Sequence, residues 1–218
     1  MKKDILSTIK KAIDRLTGKT IIQFGPPRSG TTLVYNILKD VFPDRSVESR
    51  HYYRNKDKKF PTVVTYRNPL DSIASSILRY KKKPTNDVIE QQVSEFKKNG
   101  IWSVLEIREN KNVLMLKYED FVNNFDYIYN KLEIFFNANI YNDKRNLITK
   151  NYNIPAVEKI TSYMKSYEEQ DKKTLFHGDH ININKGKPDF YKQFLSTEQI
   201  SYLKNIYKDY LLVFDYEG

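Results

Sequence analysis

Short apolar runs alternate along this chain with longer stretches of helical periodicity. Thr20-Ile21-Ile22-Gln23-Phe24 and Thr62-Val63-Val64-Thr65-Tyr66 are β-branched and aromatic, the pattern of buried strands. Two further strands are expected near residues 46–50 and 112–117. Between them, residues 31–41, 69–80 and 87–109, the last interrupted at Gly100, read as helices long enough to serve as crossovers between parallel strands. In the 69–80 segment Leu70, Ile73, Ala74 and Ile77 share one face. Ser72, Ser75, Ser76 and Arg79 share the other, where Ser72 and Ser76 are expected to meet solvent. The alternation predicts an α/β fold: a P-loop-type parallel β-sheet flanked by helices, in one domain over residues 1–218.

Two terminal helices complete this reading. An amphipathic helix over about residues 3–17 carries Ile5, Ile9, Ile13 and Leu16 as its apolar stripe and stops at Gly18. Near the other end, Ser196 and Gln199 stand at capping-box spacing ahead of Ile200, Leu203, Tyr207, Tyr210 and Leu211. No repeat, linker or low-complexity tract divides the chain.

Composition removes several chemistries. With 218 residues the chain can bury a substantial core, and with no cysteine it has no disulfide, thiolate zinc site or thiol nucleophile. No apolar run approaches the ~20 residues of a membrane span, and Met1-Lys2-Lys3-Asp4 is too polar for a signal peptide. A cytoplasmic location is the expectation. The net charge is +10, and most of it lies between Arg50 and Lys83, where ten Lys and Arg face only Asp57 and Asp71. Such a field attracts phosphate-bearing ligands, a small nucleotide and a nucleic-acid backbone alike. Lys81-Lys82-Lys83 also suits a solvated helix end.

The strongest local signal is Gly25-Pro26-Pro27-Arg28-Ser29-Gly30-Thr31-Thr32, placed between the first strand and the first long helix. A strand turning through two glycines into a helix start aims backbone N–H groups and the positive dipole end at one small volume. An ordinary turn needs one glycine and one cap. This loop keeps the glycine spacing of a nucleotide P-loop but has Thr31 where an NTPase has its lysine, and it carries its cation as Arg28. A second anion site is suggested at Arg67, placed at the carboxyl end of a strand just before Asn68-Pro69, a helix cap followed by proline at the first helical position. Ligands of parallel sheets bind at those strand ends.

These two segments resemble the sulfotransferases that use 3′-phosphoadenosine-5′-phosphosulfate (PAPS). Pro27-Arg28-Ser29-Gly30-Thr31-Thr32 fits their 5′-phosphosulfate loop position by position, and Arg67-Asn68-Pro69-Leu70-Asp71 with Ser75 fits their 3′-phosphate motif. Tyr118-Glu119-Asp120-Phe121 is similar to a third family segment, and the run containing Lys185-Gly186 to a fourth. The family's adenine-stacking tryptophan is Leu33 here, Asn184 stands for an arginine, and Pro188 for a glycine. The resemblance covers the chain after residue 18. It implies a PAPS-dependent enzyme whose nucleotide is held by Pro27, Arg28, Ser29, Gly30, Thr31, Thr32, Arg67, Ser75, Tyr118, Lys185 and Gly186, with adenosine 3′,5′-bisphosphate (PAP) as product. The same segment equally suits an ordinary helix, with Glu119 and Asp120 in its first turn and Phe121, Phe125, Ile128 and Leu132 on a core face.

Sulfuryl transfer asks the protein to align reactants and to stabilise charge on the leaving oxygen. Arg28, Thr31 and Thr32 suit that task. Arg28, a planar permanent cation, replaces the lysine of many relatives and is not a proton donor. His51, after the 46–50 strand, matches loosely the family's catalytic histidine, and a histidine accepts a proton near neutral pH; as an exposed loop residue it would need no such role. Glu48 is the substitute base. The expected partner is a small-molecule or glycan acceptor, with no nucleic acid, no membrane, no metal and the oligomeric state open. Two other readings stay beside this one. A P-loop small-molecule kinase would need a lysine at Thr31 and a magnesium-binding acid, and a basic nucleic-acid module would not need two phosphate motifs.

Overall fold

The computed structural model of the protein describes residues 9 and 11–216. Strands β1 (Thr20–Phe24), β2 (Ser46–Arg50), β3 (Thr62–Tyr66) and β4 (Val113–Lys117) form one parallel sheet in the order β2-β1-β3-β4. The register pairs Phe24 with both Arg50 and Val64, so β1 and β2 end level and β3 runs two residues further, to Tyr66. β1 and β3 are the inner strands, and β1 is buried throughout. Side chains alternate across the pleat. Ile21, Val63 and Leu116 face one core with helix α2 (Thr31–Val41), while Ile22, Phe24 and Val64 face the other with α3 (Pro69–Arg79). The result is three layers, with helices on both faces of the sheet.

Chain direction explains where a ligand can enter. From β1 the chain crosses to β2 on one side, then returns past β1 to β3 on the other, so the order reverses between β1 and β3. At such a switch point the loops leaving neighbouring strands diverge and open a crevice. Here those loops are Gly25–Gly30 and Arg67–Asn68. The two motifs are separated by more than thirty residues in sequence yet leave adjacent strands.

The helices between the strands follow the expected pattern, including the break at Gly100 between α4 (Asn86–Lys98) and α5 (Ile101–Ile107). Asn68 caps α3 by accepting from the Leu70 N–H at 2.9 Å. Two expectations change. Ile9, Ile13 and Leu16 are 50, 52 and 88% exposed, so the stripe of the N-terminal helix, α1 (residues 11–16), points outward. Its attachment is polar: Asp14 accepts from Ser46, and Arg15 bonds Glu48 and Asp57. Ile5 and the start of that helix lie outside the described residues. Ser72 and Ser76, expected in solvent, are only 2 and 5% exposed. The C-terminal segment returns over α3, so its serine face is an inner one.

The last helices pack as read from their periodicity, with Leu203, Tyr207, Tyr210 and Leu211 buried. Ser196 and Gln199 form a reciprocal capping box on the helix Thr197–Ile206. Ser196→Ala removes that cap far from the crevice. It should lower unfolding free energy by about 1 kcal/mol in urea titration and leave nucleotide affinity unchanged.

Candidate active site

One cavity opens at the switch point, lined on one side by Pro27, Arg28, Gly30, Thr31, Thr32, Arg67 and Ser75. Arg28 adopts φ 64°, a left-handed conformation that costs a non-glycine residue about 1 kcal/mol. It turns the guanidinium inward, where Nε donates to Ser75 Oγ at 3.0 Å and Nη2 to the His180 carbonyl at 3.2 Å. Gly30 follows at φ 83°, and a Cβ there would sit 2.7 Å from the Phe121 ring. Glycine is thus required twice over, by dihedral and by space. The helix that starts at Thr31 has no side-chain cap and no acid in its first turn. Its N–H groups therefore remain directed at the cavity, with the positive pole of the helix dipole.

Arg67, at the end of β3, is buried and donates through Nη1 to the Arg28 carbonyl at 3.2 Å and through Nη2 to the Gly186 carbonyl at 3.4 Å. Its guanidinium carbon lies 4.1 Å from the centre of the Tyr118 ring, and its Nε has no partner among the described residues. Ser75 Oγ accepts from Arg28 Nε and from Asn182 Nδ2, the latter at 2.7 Å. With both lone pairs engaged, its own proton is free for an outside acceptor. Lys185 and Gly186 close this side, and a Cβ on Gly186 would meet the Tyr118 hydroxyl at 2.2 Å.

The cavity gathers cations and no anion. Arg28, Arg67, Arg79, Lys185 and all three histidines line it, and no aspartate or glutamate does so among the described residues. Burial, then the charges of Arg79 and Arg67, pull the Arg28 guanidinium down to about 9, so it stays charged at neutral pH. Arg79 is lowered by burial as well. Two carboxylates stand just behind the arginines but are turned away. Asp71 accepts the backbone N–H groups of Asp189 at 2.7 Å and Tyr191 at 3.0 Å; Glu119 accepts from Asn68 N–H at 3.1 Å and the Tyr216 hydroxyl at 2.8 Å. Desolvated guanidinium groups without a carboxylate partner are costly. An oxyanion ligand offsets that cost, and the arrangement suits a phosphate-bearing molecule with two anionic ends.

The backbone is similar to solved structures at low sequence identity. Mouse sulfotransferase SULT7A1 complexed with PAP aligns at TM-score 0.65 and 16% identity, over 89% of this chain and 85% of that one. Retinol dehydratase in complex with androsterone and inactive cofactor PAP gives 0.66 and 12%, over 89% and 81%. Retinol dehydratase in a complex with retinol and PAP gives 0.64 and 12%, over 88% and 81%. The chain has the sulfotransferase fold. The sequence itself matches no family model and no curated protein.

Within this sulfotransferase fold, most residues picked from the sequence converge on the cavity. His51, at its exposed mouth, holds Nδ1 2.9 Å from the Gly25 carbonyl. A carbonyl only accepts, so Nδ1 carries the proton and a neutral ring offers the lone pair of Nε2. Ser29 is different: it is fully buried, its hydroxyl donates to the Pro26 carbonyl at 2.7 Å, and its side chain braces the loop against Thr65 instead of lining the cavity. Glu48 also falls outside. Arg15 grips it at 2.7 Å and Arg50 bonds it from the other side, while Arg50 and Arg54 reach Asp57 at 2.7 and 3.0 Å. Part of the basic run from Arg50 is therefore spent on internal ion pairs, because strand alternation and the turn at Asn55–Asp57 bring the acids to it. Leu33, at the position of the family's tryptophan, does line the cavity.

Sequence reasoning missed the far wall. Tyr152, Ile154, Val157, Phe176, His177, His180 and Ile181 complete the enclosure, and nothing in their order announces a site. Arg79 was visible only as the next turn of the Ser75 face. His180 packs edge-on against Phe176 at 4.7 Å between ring centres, with Nδ1 buried and unpartnered among the described residues. Burial, then Arg28 and Arg79, hold its titration well below the ordinary histidine range. In the unfolded chain it protonates near pH ~6.5. Below that pH the unfolded state binds a proton that the folded state refuses, so stability falls as pH falls. Urea unfolding of the ligand-free protein at pH 7 and pH 5 should show that loss, and His180→Asn should shrink it.

Proposed function

We propose that this chain is a sulfotransferase that takes PAPS as donor and releases PAP. The observation that carries this reading is the adjacency of Arg28 and Arg67 at neighbouring strand ends, one donating to the other's carbonyl at 3.2 Å, in a cavity whose lining among the described residues lacks a carboxylate. A doubly anionic nucleotide matches it. Arg28, Thr31, Thr32 and the N-terminus of α2, with Pro27 and Gly30 shaping the loop, hold the 5′ end. Arg67, Ser75, Lys185 and Gly186 hold the 3′-phosphate, with Tyr118 beside the nucleotide. Ser29 serves the 5′ end through its backbone and by bracing the loop. The low-identity neighbours that carry PAP support the same ligand.

Bound PAPS supplies an activated sulfuryl group whose bond to the 5′-phosphate breaks on transfer. The residues of this chain do the rest. His51 Nε2 takes the proton of the acceptor hydroxyl or amine at the cavity mouth, with Gly25 fixing the ring through Nδ1. Arg28 and the N–H groups of the loop stabilise charge on the departing phosphate oxygen. The acceptor is a small molecule, and the apolar wall of Tyr152, Val157, Phe176 and Ile181 excludes water around it. A kinase reading has less support, since Thr31 replaces the lysine and the described lining offers no acid to hold magnesium.

Titration calorimetry with PAP, AMP and ATP–magnesium tests the donor. PAP should bind tightest, and tighter ATP binding would overturn the reading. Arg67→Ala should weaken PAP roughly tenfold to a hundredfold and AMP by less than about threefold; equal losses would remove Arg67 from the 3′-phosphate. With labelled PAPS and a screened acceptor, His51→Ala should lower kcat by roughly a hundredfold or more while PAP affinity holds. Unchanged turnover would take the base role from His51.

A further inference from the structure

Three arginines line the cavity, and the donor assignment above, on which this inference rests, engages two of them. Arg28 and Arg67 leave the neighbouring strands β1 and β3 and bond the loops that those strands carry. Arg79 is separate. It is the last residue of α3, one helical turn beyond Ser75 on the same face, close enough for its charge to act on Arg28. Its neighbours come from the far wall: its guanidinium carbon lies 5.9 Å from the centre of the Tyr167 ring, and Tyr167 in turn accepts from His177 Nδ1 at 3.1 Å and meets Tyr80 edge-on. That segment carries Phe176 and Ile181, the apolar surface facing the mouth where His51 stands.

Arg79 has no direct ion-pair or hydrogen-bond partner among the described residues, and Asp179 acts on it only at a distance. Its Nε is buried with no hydrogen-bond partner among the described residues. Asp179, a nearby acid, pairs with Lys81 at 3.1 Å instead. A contact at 5.9 Å to one aromatic ring is at the outer limit of a useful cation–π interaction and does not explain a half-buried cation beside two others. A cation left over on the acceptor side, in a lining without carboxylates among the described residues, asks for a second anion.

We propose that Arg79 binds an anionic oxygen group, a carboxylate or phosphate, on the acceptor itself, so that the acceptor is a hydroxy acid whose neutral counterpart is discriminated against. The acid group anchors at Arg79 while an apolar body lies against Tyr152, Val157, Phe176 and Ile181, which leaves the hydroxyl free to reach His51. Arg79 is a specificity-determining residue in this scheme. A bidentate guanidinium–carboxylate pair also fixes orientation, which a point charge does less well.

Full-length protein saturated with PAP is titrated with 4-hydroxybenzoate, 4-hydroxyphenyl phosphate and the neutral 4-hydroxybenzamide, as wild type, Arg79→Gln and Arg79→Lys. At least one anionic probe should bind the wild type roughly tenfold or more tighter than the amide. Arg79→Gln should erase that preference and Arg79→Lys should retain part of it, while both variants keep wild-type affinity for PAP. No anion preference in the wild type, including no binding of any probe, overturns the inference. So does a loss of PAP affinity in Arg79→Gln, which would place Arg79 on the donor. A wild-type chain that fails to bind PAP in the preceding titration removes the donor reading itself, a result recorded separately from the probe comparison.

Discussion

Holding like charges together without neutralising them is the constraint on which this structure turns. Arg28 and Arg67 are bonded almost entirely to neutral oxygen: carbonyls of Arg28, His180, Gly186 and Lys187, and the hydroxyl of Ser75. Such acceptors orient a guanidinium and leave its charge intact. A carboxylate in the same place would orient it better and abolish its affinity for an anion. Asp71 and Glu119 occupy the intermediate solution. Each lies close enough to Arg67 to feel its charge, yet each commits its oxygens to backbone N–H groups or a tyrosine hydroxyl, which ties Asn68 to the segment after β4 and Asp189–Tyr191 to α3. The acids thus build the walls without filling the hole.

Sheet order makes this arrangement possible. A chain laid down in simple sequence order would place β2 between the two motifs. The reversal at β1 instead makes β1 and β3 neighbours, and parallel pairing brings their carboxyl ends to the same edge of the sheet, two residues apart in register. Two loops and the start of one helix then converge with little need for long-range adjustment. The cost of desolvating the arginines is carried by an inner pair of strands buried at every residue but Tyr66 and by cores on both faces, which is where a parallel sheet has stability to spare.

The strands, crossover helices and both anion motifs were legible because each is written locally, in β-branched runs, in helical periodicity and in glycines at loop spacing. What was illegible depends on returns of the chain. Ser72 and Ser76 look solvated until residues beyond 180 come back over α3. Ile9, Ile13 and Leu16 look like a core face, yet Asp14 and Arg15 hold that helix to Ser46, Glu48 and Asp57 through polar bonds, a mode that hydrophobic periodicity does not encode. Glu48 seemed a free carboxylate because its partners are supplied by α1 and by a neighbour on its own strand. The histidines at 177 and 180 carried no signal, since two scattered residues acquire meaning only when Phe176 and the Tyr167 carbonyl position them.

The division between legible and illegible parts follows a division of labour. The charged half of the cavity is made by strand ends and one helix start, elements that the sheet holds rigid and whose residue types are dictated by an anion of fixed shape. The opposite half is made by Tyr152, Ile154, Val157 and the 176–182 segment, which sit on short helices and loops outside the sheet. Substitutions there change the shape and polarity of the cavity without moving Arg28 or Arg67. A fold with this partition can persist at identities as low as 12–16% to its structural neighbours while the wall outside the sheet varies without disturbing it. The position of Arg79 fits that logic: it grows from α3, whose first turns serve the anchored half, but its tip reaches the variable one.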